Sequence, residues 1–152
     1  MDFYLARHGE AVADLIDPSR PLTRAGRDDV ERVARLAAEK AVQVSVIYHS
    51  GILRAGQTAE IFAAHLAPSG GVATLSGLRP DDDPSLAAAQ LAISGSPVML
   101  VGHLPHMSGL AALLAPGGAE GNTINFIPAM IACYSREGSL WKLSWTIAPY
   151  VQ

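Results

Sequence analysis

Hydrophobic positions along the chain follow two different periods. Mostly apolar runs of strand length occupy residues 2–6, 44–49 and 98–101, and a weaker run lies within residues 72–78. Between these runs, apolar residues recur every three or four positions, as they do on one face of a helix. This alternation of strand and helix predicts a mostly parallel sheet with helices on both faces.

The helical stripes predict four helices. Thr23 is the expected N-cap of the first helix, and Asp83 followed by Pro84 is the expected start of the third. The second helix follows Ser50-Gly51 and places Arg54 at or just before its first turn, and the fourth covers about 107–115. The expected buried stripes are Val30, Val33, Ala34, Ala37 and Ala41 in the first helix, Ala55, Ala59, Phe62 and Leu66 in the second, and Leu86, Ala89 and Ile93 in the third.

Near the C-terminus the hydrophobic period changes to two, which predicts a strand with one buried face. The apolar residues of that face are Trp141, Leu143, Trp145 and Ile147. Glu137-Gly138 separates this strand from the apolar run 129–134, so the two predict an antiparallel hairpin at the sheet edge. We interpret both tryptophans as core residues on the inner face of the hairpin. The whole pattern predicts a three-layer α/β/α fold and, at 152 residues, a single domain over residues 1–152.

Composition narrows the class of protein. Hydrophobic residues make up 49% of the chain and charged residues 16%, which suffices for one packed core. The net charge of -3 provides no basic surface for nucleic acid, and no apolar run approaches the ~20 residues that span a bilayer. The single cysteine, Cys133, argues against a disulfide framework. We therefore expect a cytoplasmic protein that binds neither nucleic acid nor membrane.

Two histidines stand at the ends of predicted strands. Arg7-His8-Gly9 follows the first strand, and Gly102-His103 follows the strand at 98–101. Ligands of open α/β sheets bind outside the carboxyl ends of the strands, and the planar guanidinium of arginine suits phosphate. The start of a helix near Arg54 adds free N–H groups and the positive end of the helix dipole. These features predict a phosphate-handling site.

A neutral imidazole is a competent nucleophile toward phosphorus. His8 is the candidate nucleophile, which would form a covalent phosphohistidine that water later hydrolyses. The charge on the three equatorial oxygens of a transferring phosphoryl group must be held by preorganised donors, and Arg7, Arg54 and His103 are the candidates.

Four motifs in order along the chain carry a family resemblance. They are Leu5-Ala6-Arg7-His8-Gly9, then Pro21-Leu22-Thr23 with Gly26, then the run from Ser50 to Ala59 that contains Arg54 and Gln57, and finally Val101-Gly102-His103. Together they resemble the histidine phosphatase superfamily, also called phosphoglycerate mutase-like, and most closely its SixA-type phosphohistidine phosphatases. The resemblance implies that His8 is phosphorylated, that Arg7 and Arg54 bind phosphate, and that His103 is the second histidine of the pocket. It also suggests a substrate contact for Arg20.

The sequence departs from larger members of the superfamily at the segment 78–84. Those members carry there an acid that protonates an alkoxide leaving group, and this chain has no matching motif. Asp83 is the expected helix cap, and Asp81 and Asp82 are expected to be solvated loop carboxylates. A phosphorylated imidazole needs a general acid less, because the ring can leave as a neutral group.

The resemblance therefore implies a phosphohistidine phosphatase that acts on a phosphorylated protein, for example a histidine-phosphotransfer domain, and needs no cofactor. No metal site is expected, since Pro105 interrupts the spacing of His103 and His106. Two alternatives stay open. The chain is a phosphatase of a small phosphoester metabolite if Asp81 or Asp82 reaches the His8 pocket, or it is a non-catalytic module that binds phosphorylated partners. The oligomeric state is left open.

Overall fold

A computed structural model describes residues 1–116 and 124–150 of the chain. Within these residues, strands and helices alternate until the last helix, and two consecutive strands follow it. The strands are β1 (Asp2–Arg7), β2 (Val46–His49), β3 (Val72–Thr74), β4 (Val98–Gly102), β5 (Ile131–Glu137) and β6 (Leu140–Ile147), and the helices are α1 (Arg24–Glu39), α2 (Leu53–Leu66), α3 (Pro84–Ile93) and α4 (His106–Leu114).

One six-stranded sheet has the order β3-β2-β4-β1-β5-β6. The first four of these strands are parallel, whereas β5 pairs antiparallel with β1 and β6 pairs antiparallel with β5. The central strand β4 is buried along its whole length, which explains its continuous apolar sequence. The predicted fold class, including the antiparallel hairpin, is confirmed.

Helices cover both faces of the sheet. Tyr4 and Ala6 of β1 pack in the cluster formed with α1 and α2, whereas Phe3 and Leu5 pack on the opposite face with α3 and α4. The alternation of side chains along a strand therefore feeds two hydrophobic layers. Both hydrophobic layers extend to the edge of the sheet at which the strands that carry the histidines end.

Helix α1 follows the predicted pattern except at its end. The Thr23 side chain accepts a hydrogen bond from the backbone N–H of Gly26 at 2.9 Å, so the predicted N-cap is confirmed. Four of the five predicted stripe residues are buried. The prediction for Ala41 is wrong, because the helix ends at Glu39 and Ala41 is exposed with a φ of 58°.

Helix α3 begins as predicted but buries a different face. Asp83 caps the helix and Pro84 is its first residue. Leu86 is 56% exposed and Ile93 is 78% exposed, so the predicted stripe is wrong, and Ala87 and Leu91 are the buried residues. The helix is apolar on nearly every side, and its sequence therefore has no polar face that marks the solvent side.

The two tryptophans of the hairpin lie on opposite faces of the sheet. A register shift between Cys133 and Tyr134 leaves Ser144 unpaired, because Cys133 faces Trp145 and Tyr134 faces Leu143. Trp145 then packs against Tyr4 with ring centroids 5.9 Å apart, whereas Trp141 packs against Phe3 on the other face at 5.3 Å. The prediction of one inner face for β6 is wrong, since a bulge reverses the alternation.

No helix in the described part of the chain is long and apolar enough to cross a membrane.

Candidate active site

The ends of β1 and β4 bring the two strand-end histidines together. Arg7 lies opposite Gly102 in the parallel register, and the backbone N–H of His8 donates to the Gly102 carbonyl at 3.1 Å. The rings of His8 and His103 have centroids 4.9 Å apart at an interplanar angle of 53°. Residues 95 positions apart in sequence therefore share one pocket because their strands are neighbours.

The hydrogen bonds of His8 assign its tautomer. Its Nδ1 lies 2.7 Å from the carbonyl oxygen of Gly9, which can only accept, so Nδ1 carries the proton. The other nitrogen, Nε2, is then unprotonated, and the Nε of Arg54 donates to it at 3.4 Å. The lone pair of a buried histidine therefore faces the first turn of α2.

Burial and positive charge keep His8 neutral. The pKa of His8 is lowered to about 4, mainly by burial and also by the charges of Arg54, Arg7 and Arg20, while the Gly9 hydrogen bond acts in the opposite direction. At neutral pH the ring is uncharged, and its Nε2 carries a lone pair that accepts the hydrogen bond from Arg54. This is the protonation state that a nucleophile requires.

Thr58 connects the His8 loop to Arg54. Its hydroxyl donates to the Arg54 carbonyl at 2.8 Å and accepts from the Gly9 backbone N–H at 3.1 Å. The side chain is fully buried. The sequence predicts no role for Thr58. The available signal was a polar residue on the buried face of α2, four residues after Arg54.

Arg7 is held by a carbonyl from a distant segment. Its Nη1 donates to the Phe126 carbonyl at 2.8 Å, and its Nε is buried without a partner among the described residues. Burial lowers the pKa of Arg7, and its charge in turn lowers the pKa of His8. Phe126 lies in a loop before β5, where the sequence carried no signal for this contact.

Ser50 holds the second histidine. Its hydroxyl lies 2.6 Å from Nε2 of His103 and also accepts from the Ile52 backbone N–H at 3.2 Å. A hydroxyl can donate to Nε2 or accept from it, and Nδ1 of His103 is buried without a partner among the described residues. Burial lowers the pKa of His103 to about 3, and the charges of His8 and Arg54 act in the same direction. Ser50 begins the third sequence motif, but the motif does not predict it as a site residue.

The loop over residues 10–21 brings Arg20 toward the pocket. Ala11 and Leu22 form an antiparallel bridge at its base, and the Arg20 Nε donates to the Val12 carbonyl at 3.0 Å. The Arg20 charge lowers the pKa values of both His8 and Arg54. Arg20 therefore lies near the two residues without a hydrogen bond to either.

The three carboxylates after β3 make no hydrogen bond to His8, Arg54 or His103. Asp83 accepts from Ser85 at the start of α3, Asp82 accepts from the Arg79 backbone N–H at 2.9 Å, and Asp81 is exposed. Asp82 lines an open cavity of about 570 Å³ together with Ser50 and Arg79. The charges that act most strongly on His8 and His103 come from arginines and histidines, not from these carboxylates.

His106 does not extend the site. It is 1% exposed, and neither ring nitrogen has a hydrogen-bond partner among the described residues. Within residues 1–116 and 124–150, no group of three or more histidine, cysteine or carboxylate side chains is arranged to hold a metal ion.

Comparison with known proteins identifies the family. The profile of the histidine phosphatase superfamily (branch 1) matches residues 3–79, which include both His8 and Arg54. The chain belongs to the histidine phosphatase superfamily. The resemblance carried by the sequence motifs is thereby confirmed, and the chain is a phosphatase.

Individual relatives of this histidine phosphatase include SixA. The phosphohistidine phosphatase SixA of Escherichia coli (strain K12) is 33% identical over 122 residues, covering 77% of this chain and 76% of SixA. An uncharacterized protein of Picosynechococcus is 35% identical over 139 residues, covering 86% of this chain and 82% of its own. The solved structure of SixA complexed with tungstate superposes with a TM-score of 0.88 at 29% identity and covers 98% of this chain and 97% of that one.

Proposed function

We propose that this histidine phosphatase removes the phosphoryl group from a phosphorylated histidine on a protein, with His8 as nucleophile. The observation that carries the proposal is the geometry of His8. Its unprotonated Nε2 faces Arg54 at 3.4 Å in a pocket whose strongest charges are cationic. Such a pocket attracts a phosphoryl group and presents it with a lone pair.

The transfer proceeds in two steps. Nε2 of His8 bonds to phosphorus as the bond from phosphorus to the substrate imidazole breaks, and that imidazole leaves as a neutral ring once its other nitrogen is protonated. Water then attacks the phosphorus of phosphorylated His8, which releases inorganic phosphate and restores the free histidine. Arg7, Arg54 and His103 hold the equatorial oxygens in both steps, and Arg20 contacts the substrate near the entrance.

The positions of the acidic residues favour a phosphoramidate over an alkyl ester. An alkoxide needs a proton at departure, and general acid catalysis typically contributes about 10²- to 10⁴-fold to its rate. Asp82 and Asp83 are bonded to backbone N–H groups of their own segment. The SixA relative is a phosphohistidine phosphatase, which supports the same substrate class. The single cysteine supports a cytoplasmic location, and the proposed reaction needs no cofactor.

Turnover of a substrate panel tests the proposal. The panel contains a phosphohistidine protein, a sugar phosphate, an unactivated alkyl phosphate and a chromogenic aryl phosphate. We expect phosphohistidine turnover to exceed alkyl phosphate turnover by several orders of magnitude, with the aryl phosphate between them because a phenolate leaves with little help.

A phosphatase of small phosphoesters is the second candidate, since Asp82 lines a cavity next to Ser50. Comparable rates on phosphohistidine and alkyl phosphate, combined with a large loss in Asp81→Ala or Asp82→Ala, would establish that function instead.

A further inference from the structure

Two adjacent apolar side chains are exposed at the tip of the loop that bears Arg20. Leu15 is 101% exposed and Ile16 is 79% exposed. Single exposed apolar residues are common on soluble proteins and need no explanation. Leu15 and Ile16, however, are adjacent and lie beside the candidate active site. We call these two residues the tip pair.

Hydrogen bonds within the loop hold the tip pair in place. The backbone N–H groups of Ile16 and Asp17 both donate to the Ala13 carbonyl, at 2.9 and 3.1 Å. Asp17 accepts from the backbone N–H and the hydroxyl of Ser19 at 3.0 and 2.7 Å. A surface ordered before binding loses less conformational entropy when a partner arrives.

The base of the same loop reaches the catalytic pocket. Val12 donates its backbone N–H to the Pro21 carbonyl at 2.8 Å, and Arg20 bonds to the Val12 carbonyl. The loop starts directly after His8-Gly9, and at its other end the backbone N–H of Leu22 donates to the Gln57 side chain, three residues after Arg54, at 2.8 Å, so the segment that carries the tip pair borders the pocket.

We propose that the tip pair is a docking contact for the protein whose phosphohistidine enters the pocket. The proposal rests on the proposed function and adds how the substrate protein is recognised. The complementary surface on that protein is an apolar patch beside the phosphohistidine, with a basic residue opposite the exposed Asp14. A small metabolite would fill the pocket without reaching the tip, whereas a folded protein presenting a side chain must rest on the rim.

Paired substrates separate docking from chemistry. The protein probes are histidine-phosphotransfer domains encoded in the same genome and phosphorylated with potassium phosphoramidate, and the small probe is free phosphohistidine. In the double variant Leu15→Ser, Ile16→Ser, we expect kcat/KM on the best protein probe to fall about tenfold to a hundredfold through KM. Turnover of free phosphohistidine should not change.

Ile93→Ser is the matched control. Ile93 is 78% exposed, nearly as much as Ile16. It lies at the C-terminal end of α3, near the start of β4 and away from the strand ends that carry the histidines. The control variant should retain wild-type kcat/KM on both substrates. Asp14→Lys should lower kcat/KM on the protein probe several-fold, with a smaller loss at high salt.

Three outcomes would overturn docking at the tip pair. One is an unchanged kcat/KM of the double variant on the protein probe, and another is an equal loss on free phosphohistidine. The third is a wild-type dimer in analytical ultracentrifugation that the double variant abolishes, which would assign the tip pair to self-association. Failure of the proposed function looks different, because the wild-type protein would then hydrolyse an aryl phosphate but neither phosphohistidine substrate.

Discussion

Two groups of polar side chains lie at the same edge of the sheet, and their surroundings differ. Arg7, His8, Arg54 and His103 converge from three elements onto one pocket. The loop from Arg79 to Asp83 holds three carboxylates, yet two of them bond to backbone N–H groups of their own segment. Proximity to the site therefore does not confer a role on a residue. Whether a residue has a role depends on the direction of its side chain and on the hydrogen-bond partner that it already has.

The largest effect is expected at His8. His8→Ala should abolish phosphohistidine turnover, with a loss of at least about 10³-fold, because no other neutral imidazole nitrogen in the pocket has its lone pair toward the arginine cluster. Single-turnover assays with phosphohistidine protein measure the loss. His8→Asn keeps more of the side-chain volume, and circular dichroism of both variants checks the fold. Near-wild-type activity in a folded variant would remove His8 as the nucleophile.

Variants of Arg54 and Arg79 distinguish direct contact from charge acting at a distance. Arg54 donates to His8, whereas Arg79 is exposed and acts on His103 only through its charge. Arg54→Ala should lower kcat about 10²- to 10³-fold, the usual loss for one donor to transition-state charge. Arg79→Ala should change kcat less than about threefold. Equal losses would mean that long-range charge, not contact, governs the pocket.

The histidine pair predicts a stability loss in mild acid. Burial lowers the pKa of His8 to about 4 and that of His103 to about 3, whereas both titrate near 6.5 in the unfolded chain. As pH falls below 6.5, the two histidines bind protons in the unfolded state but not in the folded state, so the free energy of unfolding decreases. Each histidine contributes a slope of about 1.4 kcal/mol per pH unit down to its folded pKa.

Urea unfolding at pH 7.5 and pH 5.0 measures this loss. His8→Asn removes one of the histidines whose pKa burial lowers and should lose less stability over the same interval. A flat pH profile in the wild-type protein would show that the histidines titrate normally.

The smallest effect is expected in the acidic loop. Asp81→Ala and Asp82→Ala should each change phosphohistidine turnover by less than about threefold, because neither carboxylate is among the charges that act most strongly on His8 or His103. Steady-state kinetics on the phosphohistidine protein measure both variants, with Asp83→Asn as a control for helix capping. A loss of about 10²-fold in either alanine variant would identify a general acid and reverse the comparison between the two charged groups.

Prediction from sequence succeeded where polar and apolar positions are clearly separated. The prediction is correct for the strand that ends just before His8 and for the α1 stripe except at Ala41, because local periodicity determines which face is buried. It failed at α3, whose helix is apolar on nearly all sides, and at β6, where a bulge sends Trp141 and Trp145 to opposite faces.

Short stretches of sequence are enough to place two histidines at strand ends and an arginine in the first turn of the second helix, because each of these features depends on a few neighbouring residues. Which atoms face the pocket depends instead on how distant segments pack. The Gly9 to Thr58 bond spans 49 positions, the Ser50 to His103 bond spans 53, and the Arg7 to Phe126 bond spans 119. Such contacts exist because separate strands and helices pack side by side, and no local pattern of residues records that packing.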